Sequence, residues 1–388
     1  MTGVEIVKLR HKLLIAWIVM GFTSMMGQIV LMRELIYVFY GNELALGTTL
    51  ACWLLWVGVG SFALGRLVDR VEDRLRLLVI CEVALALLLP LTVVAVRAVK
   101  LILGFAPGEI TGIVPMLESC LFLLPPLCLA LGFTFALNSK ILSLQLGDAV
   151  KGIGRVYIFE AVGSALAGVM FSYLLVRWLT HIQIIGMVSL FALGVGFLLA
   201  MERRGALRVV ALVLCMSVLG SLVSGAAKRV DEWSNSLRWR GFDVIHSQDS
   251  IYGNVTVTRY GDQVSMFESG LLMFTHPDLF SSEESVHYAM LSHPDPKRVL
   301  LIGGGTGGAL EEILKYGVVE VHYLELDPLV IELSEPYIRS DDWDPRVSVY
   351  NADGRFWAKR TDHRYDVVIV NLPEPFTAQL NRFFTQEF

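Results

Sequence analysis

Up to about Ala227 the chain is a series of apolar runs of roughly twenty residues, the length a helix needs to cross a hydrocarbon core. These runs lie near 13–32, 44–64, 77–96, 113–137, 156–176, 182–200 and 209–224, separated by short charged stretches. The first is no cleaved signal: it is long, lacks a small-residue cleavage site and runs into Arg33-Glu34. From Lys228 onward the pattern turns polar and the period changes. Short alternating runs at 253–258, 263–267 and 270–274, with Tyr260-Gly261-Asp262 between the first two, predict a hairpin within a small β-domain. A helix is expected over 283–292. Strands at 299–302, 319–324, 347–350 and 366–370 then alternate with helices near 309–316, 328–335 and 355–360, which implies parallel pairing through right-handed crossovers. The expected organisation is a transmembrane helical domain over 1–227, a linker and small β-domain over 228–297, and a doubly wound α/β domain over 298–388.

Composition agrees with two different polymers joined in one chain. Across 388 residues, 54% are apolar and 18% charged, and the mean hydropathy is +0.58. A lipid bilayer is the expected partner of the first half. The net charge of −5 and the lack of a Lys/Arg-rich block in the polar half give no footprint for nucleic acid. All five cysteines (Cys52, Cys81, Cys120, Cys128, Cys215) fall in or beside apolar runs and read as small buried hydrophobes. No CxxC or Cys/His ligand spacing exists, so no metal and no disulfide framework is expected.

Loop charge bears on orientation in the cell membrane. Lys8/Arg10/Lys12, Arg66/Arg70/Arg74/Arg76, Lys140/Lys151/Arg155 and Arg203/Arg204/Arg208 all fall on one side of a seven-span chain, the cytoplasmic side by the positive-inside rule. That count puts the polar half outside, whereas a ligand made in the cytosol would argue for the inside. Ionisable residues at membrane depth mark functional candidates. Arg33, Glu34 and Glu82 are expected near span ends, snorkelling to the interface. Glu118 and Glu160 are expected in an inter-helix contact or a transport role. Gly163-Ser164-Ala165 and Ala167-Gly168 read as small residues for close helix packing.

The segment Arg298–Gly308 carries the chemistry. Four apolar residues read as a buried strand, and five glycines around Thr306 read as a turn that lets backbone approach a ligand. Glu325 and Asp327 follow the second strand and Asp353-Gly354 the third. An acid after strand two can accept ribose hydroxyl protons, and Asp353 can accept from an adenine amine or cap a helix. The ordering suits a nucleoside across the carboxyl ends of a doubly wound sheet.

The run 249–388 resembles the spermidine synthase (polyamine aminopropyltransferase) family, and the whole chain resembles its membrane-fused branch. The family's Gly-Gly-Gly-Asp-Gly-Gly is matched by Gly303, Gly304, Gly305, Thr306, Gly307 and Gly308, and its ribose-binding Glu by Glu325. Asp344-Pro345-Arg346, Asp353-Gly354, Tyr365–Val370 with Asn371-Leu372-Pro373-Glu374-Pro375, and Phe383–Phe388 follow in the family's order. The Tyr-Gln strand start appears as Tyr252-Gly253, and the Tyr-His-Glu helix motif as His287-Tyr288-Ala289, with Glu284 nearby. The resemblance implies a methyltransferase-like (Rossmann-type) sheet behind a small β-domain. It implies decarboxylated S-adenosylmethionine, or S-adenosylmethionine itself, as the nucleoside, and a small amine or polyamine as acceptor.

On the reacting side the chain departs from the pattern. Asn371 stands where the family has its aspartate base, and an amide cannot take a proton at neutral pH. Thr306 replaces an acid, Gly253 and Met273 replace glutamines, and Ser269 replaces the acid of an Asp-Gly pair. Asn371 and Glu374 are the catalytic candidates, with Tyr252, Glu284, His287 and Tyr288 on the substrate side. The expected activity is aminopropyl transfer at a rebuilt amine site. Its rivals are a non-catalytic nucleoside-sensing or transport-type membrane protein and a methyltransferase. The strand at 366–370 has no following strand, so the chain is expected to be incomplete at its C-terminus, or its edge covered by a partner or second copy.

Overall fold

In a computed structural model the described residues are 3–40, 43–109, 111–201, 205–337, 343–375 and 377–388, without the side chains of 3–8. Arg203, Arg204 and the Lys8 side chain of the basic clusters lie outside this set. The chain forms two compact units, one running through Arg238 and one containing Trp239–Phe388.

The first unit is helical: α1 (Gly3–Phe39), α2 (Glu43–Phe62), α3 (Arg74–Leu103), α4 (Ile113–Leu123), α5 (Pro125–Leu146), α6 (Ala149–Met170), α7 (Val176–Trp178), α8 (His181–Ala200), α9 (Ala206–Val223) and α10 (Ala226–Arg238). A 3₁₀ turn over Leu64–Arg70 extends α2, and a wide turn over Phe171–Leu175 joins α6 to α7. Seven of these stretches are long and apolar enough to cross a membrane, matching the seven hydrophobic runs. The run near 113–137 is not one helix. It divides at Leu124, where Pro125 and Pro126 open α5, because proline suits a first turn but has no N–H to continue a preceding helix.

Small residues let α1 and α6 approach closely. A Cβ added to Gly21 would lie 2.0 Å from the Glu160 carbonyl oxygen, and one added to Gly163 would lie 1.9 Å from that of Ile18. Ser164 Oγ donates to the Gly21 carbonyl at 3.1 Å, so α1 and α6 touch backbone to backbone. Gly168 faces open space and takes no part.

The structure departs from two sequence expectations here. Glu34 and Glu82 do not snorkel; both are buried. Glu34 accepts from Arg97 Nε at 3.0 Å and Nη2 at 2.6 Å, from Arg238, and pairs with His181 Nδ1 at 2.7 Å. Arg97 also reaches Asp231 Oδ1 at 2.9 Å and Ser234 Oγ at 2.7 Å. Asp231, Ser234 and Arg238 sit on α10, which the sequence reading placed in a linker. The boundary expected after Ala227 therefore falls after Arg238, because α10 is tied to the helical unit by this ion network. Arg33 is half-buried with Nε on Tyr37 Oη at 3.0 Å. Glu118 is exposed on α4, and Glu160 is half-buried.

The second unit holds two four-stranded sheets. β1 (Asp243–Asp249), β2 (Asn254–Tyr260), β3 (Gln263–Glu268) and β4 (Leu271–His276) form an antiparallel meander in that order. The β2–β3 hairpin matches the expected one, with Gly261 at φ 60 in the turn. β1 was not foreseen, because Asp243–Asp249 is mostly exposed and shows no strict alternation. After α11 (Leu279–Leu291) come β5 (Arg298–Ile302), α12 (Ala309–Leu314), β6 (Glu320–Glu325), α13 (Pro328–Ser334), β7 (Val347–Asn351), α14 (Gly354–Arg360), β8 (Val367–Val370) and α15 (Ala378–Asn381).

The second sheet is parallel throughout, in the order β7-β6-β5-β8. The chain winds one way from β5 to β7 and then returns to the other side of β5 as β8. The carboxyl ends of β5 and β8 are therefore the switch point at which such sheets bind ligands. Val299, Leu301, Val321, Tyr323 and Ile369 fill the core on one face, packed on Val286 and Met290 of α11. Val255, Val257 and Met266 of the meander pack on Leu329, Val330 and Leu333 of α13. β8 pairs only with β5 among the described residues.

Candidate functional site

The glycine turn leaves β5 at the switch point. Gly303, Gly304 and Gly308 have φ of 71, 65 and 111, a region that disfavours a side chain. The turn is also crowded. A Cβ on Gly304 would lie 2.5 Å from Asn371 Nδ2, one on Gly305 2.7 Å from the Tyr323 ring, and one on Gly307 2.8 Å from Phe274. Asn371, whose N–H donates to Ile302 at 3.0 Å, thus packs its amide directly onto the turn. Sequence reasoning placed Gly303–Gly308 and Asn371 in one site from far-apart positions, and the fold brings them into contact. Thr306 is buried and Gly354 packs on Ile302.

Glu325 ends β6 beside this turn and is buried. Its Oε2 accepts from Tyr323 Oη at 2.9 Å and its Oε1 from the Leu326 N–H at 2.9 Å. Burial pushes its carboxyl up to about 7, against the pull of those donors. Asp327 is also buried; it accepts from Ser250 Oγ at 2.5 Å and caps α13 through Leu329 N–H at 3.0 Å. Burial raises it as well.

Glu268, at the end of β3, completes the group and was missed by sequence reasoning. It is half-buried, and loss of hydration, then the charges of Glu325 and Asp327, push it up to about 7. Its only sequence signal was its place beside Ser269, where an acid was noted as lost. Among the described residues no lysine, arginine or histidine forms an ion pair with any of the three carboxylates. A cluster of poorly hydrated carboxyls that repel one another favours a cationic ligand.

The remaining candidates divide. Asp353 accepts from the Phe356 N–H at 3.0 Å, capping α14, and pairs with Arg382 at 2.5 Å. Burial tends to raise it, but the Phe356 N–H and Arg382 hold it below the usual range. Both the helix-cap role and a polar setting at the third strand are thus present in one residue. His287 is held by Tyr316 Oη at 2.7 Å and Glu312 Oε2 at 3.2 Å, so it fastens α11 to α12. Tyr288 and Glu284 are exposed on α11, Tyr252 is exposed beyond β1, and Glu374 is exposed after β8.

Strand order, switch point and glycine turn define the class: a doubly wound, methyltransferase-like α/β domain behind a β meander. Residues 279–388 match the spermine/spermidine synthase domain. It is 29% identical over 249 residues to a polyamine aminopropyltransferase of Oceanobacillus iheyensis, covering 61% of this chain and 49% of that protein. It is 26% identical to polyamine aminopropyltransferase 2 of Aquifex aeolicus, and that match takes in 95% of this chain and 73% of the relative. Among solved structures, a spermidine synthase in complex with the transition state analogue AdoDATO is 34% identical, covering 37% of this chain and 52% of that one, at a TM-score of 0.35. The chain spans about half the length of the first of these relatives.

Proposed function

We propose that this protein is a membrane-anchored aminopropyltransferase that takes decarboxylated S-adenosylmethionine as donor and a small amine or polyamine as acceptor. The observation that carries the reading is the Glu268–Glu325–Asp327 cluster beside the glycine turn. Both reactants are cations, a sulfonium and an ammonium, and the cluster offers negative charge with no ion-paired counter-ion among the described residues. Glu325 accepts from the ribose hydroxyls, and the crowded turn brings backbone against the nucleoside.

The acceptor amine, once deprotonated, forms its new C–N bond at the carbon next to sulfur. The C–S bond breaks, and its electron pair stays on sulfur as a neutral thioether. The proton needs a base, and Asn371 cannot serve. Glu268, poised near neutrality, has the right pKa for this work. Helices α1–α9 anchor the chain in the bilayer. A donor made in the cytosol requires the C-terminal unit there, whereas loop charge puts it on the other side; a reporter fusion decides between them.

Calorimetry on the full chain with decarboxylated S-adenosylmethionine, S-adenosylmethionine and methylthioadenosine tests the reading. Tightest binding of the decarboxylated donor, with turnover of an amine, is expected. No binding of any of the three would sink it. The amide at 371 favours a second reading, a nucleoside sensor without transfer. Donor binding with no turnover of any amine by the wild-type chain, and turnover gained in Asn371→Asp, would establish that one instead.

A further inference from the structure

We propose that Glu320, His322 and His363 form a site for a divalent transition-metal ion, at the opposite end of β6 from Glu325. Glu320 and His322 are two apart on one strand and so project from the same face. His363 arrives from the 361–366 connection between α14 and β8. One oxygen of Glu320 and one ring nitrogen of each histidine lie within 4.8 Å of one another. The two imidazole rings stand edge to face, with centroids 4.7 Å apart.

Two histidines and a carboxylate suit zinc, cobalt, nickel or iron rather than calcium or magnesium, which prefer oxygen alone. The surroundings of His322 are those of a ligand. It is buried, its Nε2 lies 3.0 Å from Glu320 Oε1, and its Nδ1 lies 2.8 Å from Tyr365 Oη. Tyr365 Oη in turn accepts from Trp357 Nε1–H at 3.0 Å. Fixing one ring nitrogen by a hydrogen bond orients the other towards a metal. His363 is exposed and Glu320 half-buried, which leaves an entry path and room for water as a further ligand.

A second group, Glu283, His287 and Glu312, has similar spacing. There Lys315 Nζ already sits 2.5 and 2.6 Å from the Glu312 oxygens, so a metal ion would have to displace it. Glu320 has no lysine or arginine ion-paired with it among the described residues. A bound ion would pin the 361–366 connection to β6. The site stands independently of the transfer reaction.

Tag-free full-length protein in detergent, stripped with a chelator and titrated with Co²⁺, tests this. A saturable ligand-field absorption at one equivalent, displaced by Zn²⁺, is expected. His363→Ala and Glu320→Gln should each abolish it, with far-ultraviolet circular dichroism unchanged. Tyr365→Phe should weaken binding by about ten- to a hundredfold. His287→Ala should leave the signal as it was. No absorption in the wild type, an unchanged signal in both His363→Ala and Glu320→Gln, or loss only in His287→Ala would overturn the assignment.

Discussion

Tyr323 Oη donates to Glu325 Oε2 at 2.9 Å, from two positions earlier on the same strand. The bond crosses beneath the glycine turn, where the Tyr323 ring fills the space that a side chain at Gly305 would need. It holds one oxygen of the carboxylate still and leaves that side of Glu325 committed. Glu325→Gln keeps the shape but removes the charge-assisted acceptor, at a cost of about 1.5–3 kcal/mol per bond. Donor affinity is expected to fall by at least about tenfold, with Tyr323→Phe giving a smaller loss. Calorimetry with decarboxylated S-adenosylmethionine reads both, and an unchanged affinity in Glu325→Gln would remove it from the site.

The two carboxyls pushed up to about 7, Glu268 and Glu325, set a pH dependence. A carboxyl whose folded pKa lies above its unfolded value binds a proton more tightly in the folded state. Stability is therefore greatest below about 4.5, falls as pH rises, and levels off above about 7, where both groups are charged in the folded state. Each contributes on the order of 3 kcal/mol at most. The melting temperature of the C-terminal unit is expected to drop across this window. Glu268→Gln should flatten the fall, and the donor cation should oppose it. A melting temperature that climbs between these pH values would contradict the carboxyl environment described.

Gly304→Ala combines a disfavoured backbone angle with a contact 2.5 Å from Asn371 Nδ2. The turn and the Asn371 segment cannot both keep their places. Loss of donor binding is expected, with a stability cost on the order of 1–3 kcal/mol. Gly317→Ala, whose nearest neighbour is the Lys297 ammonium at 3.5 Å, is the control and should bind normally.

Arg97 holds Glu34 and Asp231 together inside the helical unit. Arg97→Met leaves two carboxylates without their shared cation, and about 3–5 kcal/mol of stability is expected to go with it. Arg97→Lys should restore little, since an ammonium cannot make the paired guanidinium contacts. Thermal unfolding in detergent measures both. Equal stability of Arg97→Met and wild type would mean that the network does not anchor α10.

A reporter fused after Arg238 reads the sidedness of the C-terminal unit. Alkaline phosphatase activity there, which seven crossings and the basic loops favour, would count against a donor made in the cytosol. Fluorescence of a cytoplasmic reporter at that point would require an even number of crossings.

Most of the fold was legible because periodicity and length are local properties. Among the described residues six of the seven apolar runs became long helices and the seventh divided at Leu124, and the strand–helix alternation after Arg298 became a parallel sheet with boundaries moved by a residue or two. Gly303–Gly308, Glu325 and Asn371 could be named from motif order, because a turn and strand ends impose residue types of their own. Tertiary structure alone decided the rest. Which charges end up buried together depends on elements distant in sequence. Glu34 looked like a snorkelling span-end residue until Arg97, His181 and Arg238 closed on it from three other helices. Glu268 gained its place only when the meander folded against α13, next to Glu325 and Asp327, and His363 met Glu320 and His322 only through the path of the 361–366 connection. Desolvation and charge pairing are properties of three-dimensional neighbours, and no spacing along the chain encodes them.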